Sequence, residues 1–180
     1  LNDLNEHNIH VELPETLSEF HVTWLKKFFH DNVLQHILPI LLSEKKDYSD
    51  QINDTMTYLF VEMTNQKSHY AMLEVPTDRV SRFVILPPEK TRRHKTIVML
   101  DDIIAYFIRD VFSSFFSFDD IQCYAIKLTR DAEYNLDDEL EEGLLDKMSK
   151  GLKQRISAEP VRLVYDESMP DEMLKVMSDE

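Results

Sequence analysis

Met56-Thr57-Tyr58-Leu59-Phe60-Val61-Glu62-Met63, the polar set Thr64-Asn65-Gln66-Lys67-Ser68, and then His69-Tyr70-Ala71-Met72-Leu73-Glu74-Val75 decide the fold class. The outer runs are rich in aromatic and branched side chains that suit a pleated, half-buried surface, and the polar residues between them read as a turn. The stretch predicts a β-hairpin. Working outward, Arg82 to Leu86 predicts a short third strand stopped by Pro87-Pro88, and Thr96 to Leu100 another extended piece. Ile121 to Thr129 predicts a strand with Tyr124, Ile126 and Leu128 on one face and Cys123 and Ala125 on the other. Val161 to Tyr165 predicts a last one.

Helical patterns interrupt these strands. Thr16 to Glu19 has the T-x-x-E form of a capping box, with Ser18 as a competing N-cap. Leu25, Phe28, Phe29, Val33, His36 and Ile37 then recur at helical spacing, and Pro39 should end that helix. Asp101 is a plausible cap for a helix that buries Ile103, Ile104, Phe107, Ile108 and Val111. Leu140, Leu144, Met148, Leu152 and Ile156 supply one broad apolar face of a further helix, and Pro170 suits the first turn of a terminal one. Strands and helices interleave without regular βα alternation. The expectation is a single α+β domain with a mixed β-sheet and helices packed on it.

Composition agrees. A chain of 180 residues with 43% apolar content can bury a substantial core as one domain. Its first residue is Leu1, and Met169 to Glu180 reads as the start of a helix, so the expectation is a piece excised from a longer protein. A single cysteine, Cys123, cannot form an internal disulfide and fits a small apolar residue in a strand. Apolar runs fall well short of the ~20 residues of a membrane span, and no secretory signal is visible; the expected compartment is the cytoplasm. Thirty-four acidic against twenty basic side chains give a formal charge of −14, which opposes binding to nucleic acid or anionic lipid unless cations are gathered locally.

One such gathering exists. Lys90, Arg92, Arg93, His94 and Lys95 follow two prolines that should hold them out as a loop. A local field of this kind can attract a phosphate polymer through charge-assisted hydrogen bonds; the plainer reading is a solvated loop balancing nearby carboxylates. Arg130 leaves a strand in Thr129-Arg130-Asp131-Ala132-Glu133, where it can pair with phosphate or, more simply, with Asp131, Glu133 or a sheet-end carbonyl. Asp137, Asp138, Glu139, Glu141 and Glu142 open a helix whose later turns carry Lys147, Lys150, Lys153 and Arg155, so the macrodipole accounts for them and no metal is required. Gly143 and Gly151 weaken that helix; they either permit close approach by a neighbouring element, such as one from a partner subunit, or, more simply, are tolerated. With glycines at those two positions only, no phosphate loop is available. Among the histidines, His7 and His10 make an H-x-x-H pair, and His36 is expected to pack along the first helix; none receives a catalytic role.

Leu73-Glu74-Val75-Pro76, Arg82-Phe83-Val84, Leu86-Pro87-Pro88, Leu128 to Tyr134 and Ala158-Glu159-Pro160-Val161-Arg162 together resemble the middle, or head, region of bacterial polyphosphate kinase of the first class. The resemblance runs from Leu17 to the C-terminus, with residues 1–16 as a lead-in from a preceding N-terminal domain and 17–180 as the head domain. It implies a fold similar to phosphohistidine phosphatase. It also implies a parent enzyme that reversibly transfers the terminal phosphate of ATP to polyphosphate with Mg²⁺, through a phosphorylated histidine in a C-terminal region absent here. On that reading this segment holds no catalytic residue, cofactor or metal of its own. Lys90, Arg92, Arg93, Lys95 and Arg130 are its candidate polyphosphate contacts. The implied partners are a second kinase subunit, the N- and C-terminal domains and polyphosphate, with no nucleic acid, and with peripheral membrane association open to the parent. Dimer assembly and shaping of the substrate channel are the expected roles, with an autonomous polyanion-binding module as the alternative. A phosphohistidine phosphatase rests on fold likeness alone, which does not carry function.

Overall fold

The computed structural model describes residues 6–42, 52–53, 55–90, 94–130 and 160–178. The expected helix across residues 136–156, with its acidic start and its two glycines, lies outside them, as do Arg92 and Arg93.

The hairpin is present as β3 (Tyr58–Thr64) and β4 (Ser68–Glu74), antiparallel with Tyr58 opposite Glu74 and Thr64 opposite Ser68. Around it forms a five-stranded antiparallel sheet. The short β2 (Ile40–Leu42) adds to the outer side of β4, β7 (Asp120–Arg130) pairs with β3, and β8 (Pro160–Tyr165) closes the far edge. A second sheet has three strands: β1 (Ile9–Val11) runs parallel to β6 (Lys95–Met99), and β5 (Phe83–Ile85) pairs antiparallel on the other side of β6. The α+β class is as expected, but the strands divide between two sheets instead of joining one. The reason is β1. It lies within the lead-in, and it gives β6 a parallel neighbour on the side opposite β5.

Alternation along β3 organises the interior. Leu59, Val61 and Met63 join Ala71 and Leu73 of β4 in the main core, against Leu25, Phe29 and Val33 and the helical segment around Ile103, Ile104 and Phe107. Tyr58 and Phe60 face the other way, onto Met72, Ile126, Met169 and Met173. Both faces of the large sheet are therefore covered. On β7, Cys123 and Ala125 pack on the main core while Tyr124 and Ile126 belong to the second cluster, as the strand period requires.

Of the two candidate caps, Ser18 caps α1 (Glu19–Phe28), its hydroxyl accepting from the His21 N–H at 3.3 Å. Thr16 instead sits in a 3₁₀ turn, Pro14–Thr16, and its hydroxyl donates to Leu13 O at 2.8 Å, so the T-x-x-E box does not form. Beyond α1 the chain widens into a π turn at Phe29–Val33 and tightens into a 3₁₀ turn at Leu34–His36 before Pro39. Leu25, Phe29, Val33 and Ile37 stay buried through these changes. His36, expected to pack along the helix, is exposed, because the change of helical pitch rotates it out of phase with its buried neighbours.

Strand β6 runs into α2 (Leu100–Tyr106) with no loop between them. Met99, in an extended conformation (φ −74°, ψ 144°), is both the last strand residue and the N-cap. Asp101 is consequently inside the helix and not its cap. The single helix expected here breaks at Phe107 (φ −100°, ψ 18°) into α2 and α3 (Ile108–Phe112), yet the predicted apolar positions are all buried. The terminal helix α4 (Asp171–Ser178) follows Pro170, whose carbonyl accepts from Met173 N and Leu174 N.

Burial first, then the neighbouring charges of Asp101, Glu15 and Asp166, push the Asp102 carboxyl up to about 6. An acid whose folded-state pKa lies above its unfolded value destabilises the fold once pH exceeds both and recovers that loss as pH falls. Asp102→Asn should therefore raise the melting temperature at pH 7.5, and the difference from the parent chain should shrink between pH 7 and pH 5. Thermal melts at the two pH values check this.

Candidate functional site

The basic segment is the connection from β5 to β6, and the structure fixes both of its ends. Pro87-Pro88 leaves β5 with φ restrained and no backbone N–H to offer, so the chain departs from the sheet. Immediately before them, Leu86 N still donates to Thr96 O at 2.9 Å, which keeps the two ends of the connection side by side.

The outgoing end is held by α1. His21 is 1% exposed, and its Nε2 donates to Pro87 O at 2.9 Å. Ser18 Oγ, besides capping the helix, donates to Glu89 Oε2 at 3.0 Å, and the same oxygen lies 3.7 Å from His21 Nδ1. A serine, a histidine and a carboxylate thus meet here, but the ring and the hydroxyl address different acceptors. The imidazole is spent on the Pro87 carbonyl and makes no bond to the Ser18 hydroxyl, so the arrangement reads as a clamp and not as a Ser–His nucleophile.

The returning end is held by β1. Lys95 N donates to Asn8 O at 2.8 Å, with Asn8 in the left-handed region at φ 56°. Asparagine is among the residues that tolerate this conformation best. His94 Nε2 lies 3.1 Å from Glu12 Oε1, and the His94 ring stacks on His10 with centroids 4.0 Å apart and planes at 23°. His10, Glu12 and His94 can bring their ligand atoms within 4.8 Å of one another.

Between these anchors, Lys90 and Lys95 are exposed, and Arg92 and Arg93 fall outside the described residues. Arg130 is elsewhere: it ends β7 in the large sheet, opposite Pro160, where the register shifts between Thr129 and Arg130. Asp131 and Glu133, its expected ion-pair partners, lie outside the described residues. The predicted cations therefore divide between a loop of the small sheet and a bulged strand end of the large one.

A shallow cleft of about 380 Å³ lies at the hairpin turn, lined by Asn65, Arg109, Ser113, Phe116, Ser117, Phe118 and Asp119. The Arg109 guanidinium sits over the Phe118 ring, 5.0 Å from its centroid, and Asn65 Nδ2 donates to Ser117 O at 2.9 Å. Stacking and hydrogen bonding knit its walls together. Burial pushes the Cys123 thiol up to about 12, and Sγ lies 4.0 Å from Ala105 O, in keeping with a packing residue.

Residues 21–180 match the family model described as the polyphosphate kinase middle domain. The chain belongs to that family. Curated polyphosphate kinases align with it closely: that of Vibrio vulnificus is 42% identical over 178 residues, 98% of this chain and 25% of the relative. That of Yersinia pestis is 46% identical over 162 residues, covering 89% of this chain and 24% of the relative. The crystal structure of polyphosphate kinase from Porphyromonas gingivalis superposes with a TM-score of 0.70 at 30% identity, over 98% of this chain and 24% of that one. The middle domain thus spans about a quarter of the length of the relatives it matches. The family read from the Leu73, Leu86 and Leu128 motifs is the family found.

Sequence reasoning missed the anchors of the loop. His21 looks like any residue of an amphipathic helix, and its partner is a backbone carbonyl 66 positions away. His10 and Glu12 stand at alternate positions and would share a strand face, but a three-residue strand is too short to announce itself by periodicity.

Two outcomes follow for this polyphosphate kinase middle domain. His21→Ala leaves the half-buried Pro87 carbonyl without its donor and removes a buried ring, and should cost about 1–3 kcal/mol in a denaturant titration, whereas Glu89→Gln, which keeps an acceptor for Ser18, should cost less. Cys123 should react with a thiol reagent at pH 8 much more slowly than a free thiol, since burial leaves little thiolate, and denaturant should accelerate labelling.

Proposed function

We propose that this middle domain serves a polyphosphate kinase that reversibly transfers the terminal phosphoryl group of ATP to polyphosphate in the cytoplasm, and that its own part is to guide the polymer and help assemble the subunits. Family membership supports the activity of the whole enzyme. The observation that carries the domain's part is the anchored basic loop: Lys90 and Lys95 project from a segment whose two ends are tied to α1 and β1.

Anchoring matters physically. A cation on a restrained loop loses less conformational entropy on meeting a phosphate oxygen than one on a free tail. A linear polyanion also offers many equivalent oxygens, so a few fixed cations can hold it while it slides. The chain as a whole carries a formal charge of −14 despite these cations, so the rest of its surface repels the polymer and favours contact at the positive segment. Phosphoryl transfer itself depends on positioned cations, Mg²⁺ and in-line geometry, which this reading assigns to the C-terminal domains of the complete enzyme. No helix among the described residues is long and apolar enough to cross a membrane.

The test uses the full-length kinase with Lys90, Arg92, Arg93 and Lys95 changed to Gln. Affinity for polyphosphate should fall, and the slope of log affinity against log salt should flatten by about one for each cation that touches the polymer, while KM for ATP stays near the parent value. Unchanged polyphosphate affinity and salt slope would overturn the guiding role. Full salt-sensitive affinity in the 180-residue chain alone would favour an autonomous polyanion-binding module over a part in the assembled enzyme.

A further inference from the structure

We propose that His10, Glu12 and His94 form a binding site for a borderline divalent metal ion of the Zn²⁺ type, which fastens β1 to the start of β6. The inference is independent of the polyphosphate reading and rests on the geometry of the small sheet.

His10 lies on β1 and Glu12 directly follows it, its N–H still donating to Ile97 O at 2.9 Å, so the two-residue spacing puts both side chains on one face. His94 directly precedes β6, and its side chain reaches the same place, with the ring against His10 and Nε2 3.1 Å from Glu12 Oε1. Three side chains from β1 and the residues directly after β1 and before β6 therefore converge. All three are half-buried, sheltered enough to hold an ion and accessible enough to receive one.

The donor set has a definite preference. Two imidazoles and one carboxylate suit Zn²⁺, Co²⁺ or Ni²⁺, with a coordination position left for water. Mg²⁺ prefers a shell of oxygens and keeps its water, so it should not compete here. A tetrahedral ion with ligands at about 2.0–2.1 Å holds its donors about 3.3–3.4 Å apart. His94 Nε2 and Glu12 Oε1 already stand at 3.1 Å, and the third donor lies within 4.8 Å; because the in-plane lone pairs of two stacked rings do not meet at one point, the His10 ring turns out of its stack on His94 to complete the set. On binding, the metal takes the place of the proton between His94 and Glu12, and His94 keeps its remaining proton on Nδ1.

A hydrogen bond between His94 and Glu12 explains one pair but leaves two features without a cause. It does not account for a second imidazole, that of His10, whose ligand atom lies within 4.8 Å of those of both His94 and Glu12. Nor does it account for Thr96, directly beside His10 in the register, whose buried hydroxyl has no hydrogen-bond partner among the described residues. Ligating imidazoles characteristically engage a further polar group through their second nitrogen, and Thr96 supplies one at the adjacent position.

The experiment titrates the 180-residue chain with Co²⁺ and Zn²⁺. One equivalent of Co²⁺ should give visible ligand-field absorption, Zn²⁺ should abolish it by displacement, and Mg²⁺ at the same concentration should have no effect. Zn²⁺ at 100 times its Kd should raise the melting temperature by about 5–10 °C. His10→Gln and His94→Gln should each weaken binding at least tenfold, whereas His7→Gln should leave it unchanged. If a variant does not fold, the parent chain still decides the matter: Zn²⁺ should protect His10 and His94 from modification by diethylpyrocarbonate while His7 and His36 react. Absence of the absorption, equal response to Mg²⁺, or binding that survives loss of His94 would each overturn the proposal.

Discussion

Burial of β3 on both faces is the constraint from which the rest of the domain follows. Leu59, Val61 and Met63 need one apolar layer and Tyr58 and Phe60 need another, so the sheet cannot be left open to water on either side. The first demand draws in α1 and the α2–α3 pair. The second is met by α4 through Met169 and Met173. Removing a large side chain such as Phe60 would open a cavity between layers, at a cost of about 3–5 kcal/mol, a large share of a typical domain's stability. The small sheet is set against this body through Val84, Leu86 and Val98, which lie in the same main core.

The positive loop depends on that arrangement at one remove. Its outgoing end is fixed because the first turn of α1 presents Ser18 and His21 toward Pro87 and Glu89, and α1 is fixed because Leu25 and Phe29 are buried. Its returning end is fixed by β1, a strand of three residues that would have little stability alone. Backbone pairing with β6 and the His94–Glu12 contact supply what length does not. Among the described residues the clamp is carried by Ser18, His21 and Glu89 at one end and by Asn8, Glu12, His94 and the Lys95 backbone N–H at the other. The Lys90 and Lys95 side chains are exposed to solvent.

Much of this was legible in the chain. Strands long enough to show alternation, β3, β4 and β7, stand close to where their patterns place them, because burial on both faces selects aromatic and branched residues along the whole run. Ser18 was visible as a competing cap. Other features were hidden for physical reasons. The strands β1 and β2 are too short to carry a period, and the π turn at Phe29–Val33 preserves the apolar stripe while changing its phase, so His36 was misplaced. Asp101 resembles a cap in composition, but the direct passage from strand to helix at Met99 leaves it inside. The division into two sheets depends on which strand lies beside β6, a long-range choice that local patterns do not encode. The family was legible from scattered motifs, whereas the clamp at His21 was not, since a backbone carbonyl leaves no mark on the sequence.

The joint at Met99 has a mechanical consequence. With no spare residue between β6 and α2, the two elements share one crank, and nothing in the chain absorbs slack between them. Lys95 stands at one end of that crank and Ile103 and Ile104, wholly enclosed, at the other. A tug on the exposed end is therefore delivered within a single strand length to the deepest packing of the domain, so that whatever occupies the rim is felt at the hub.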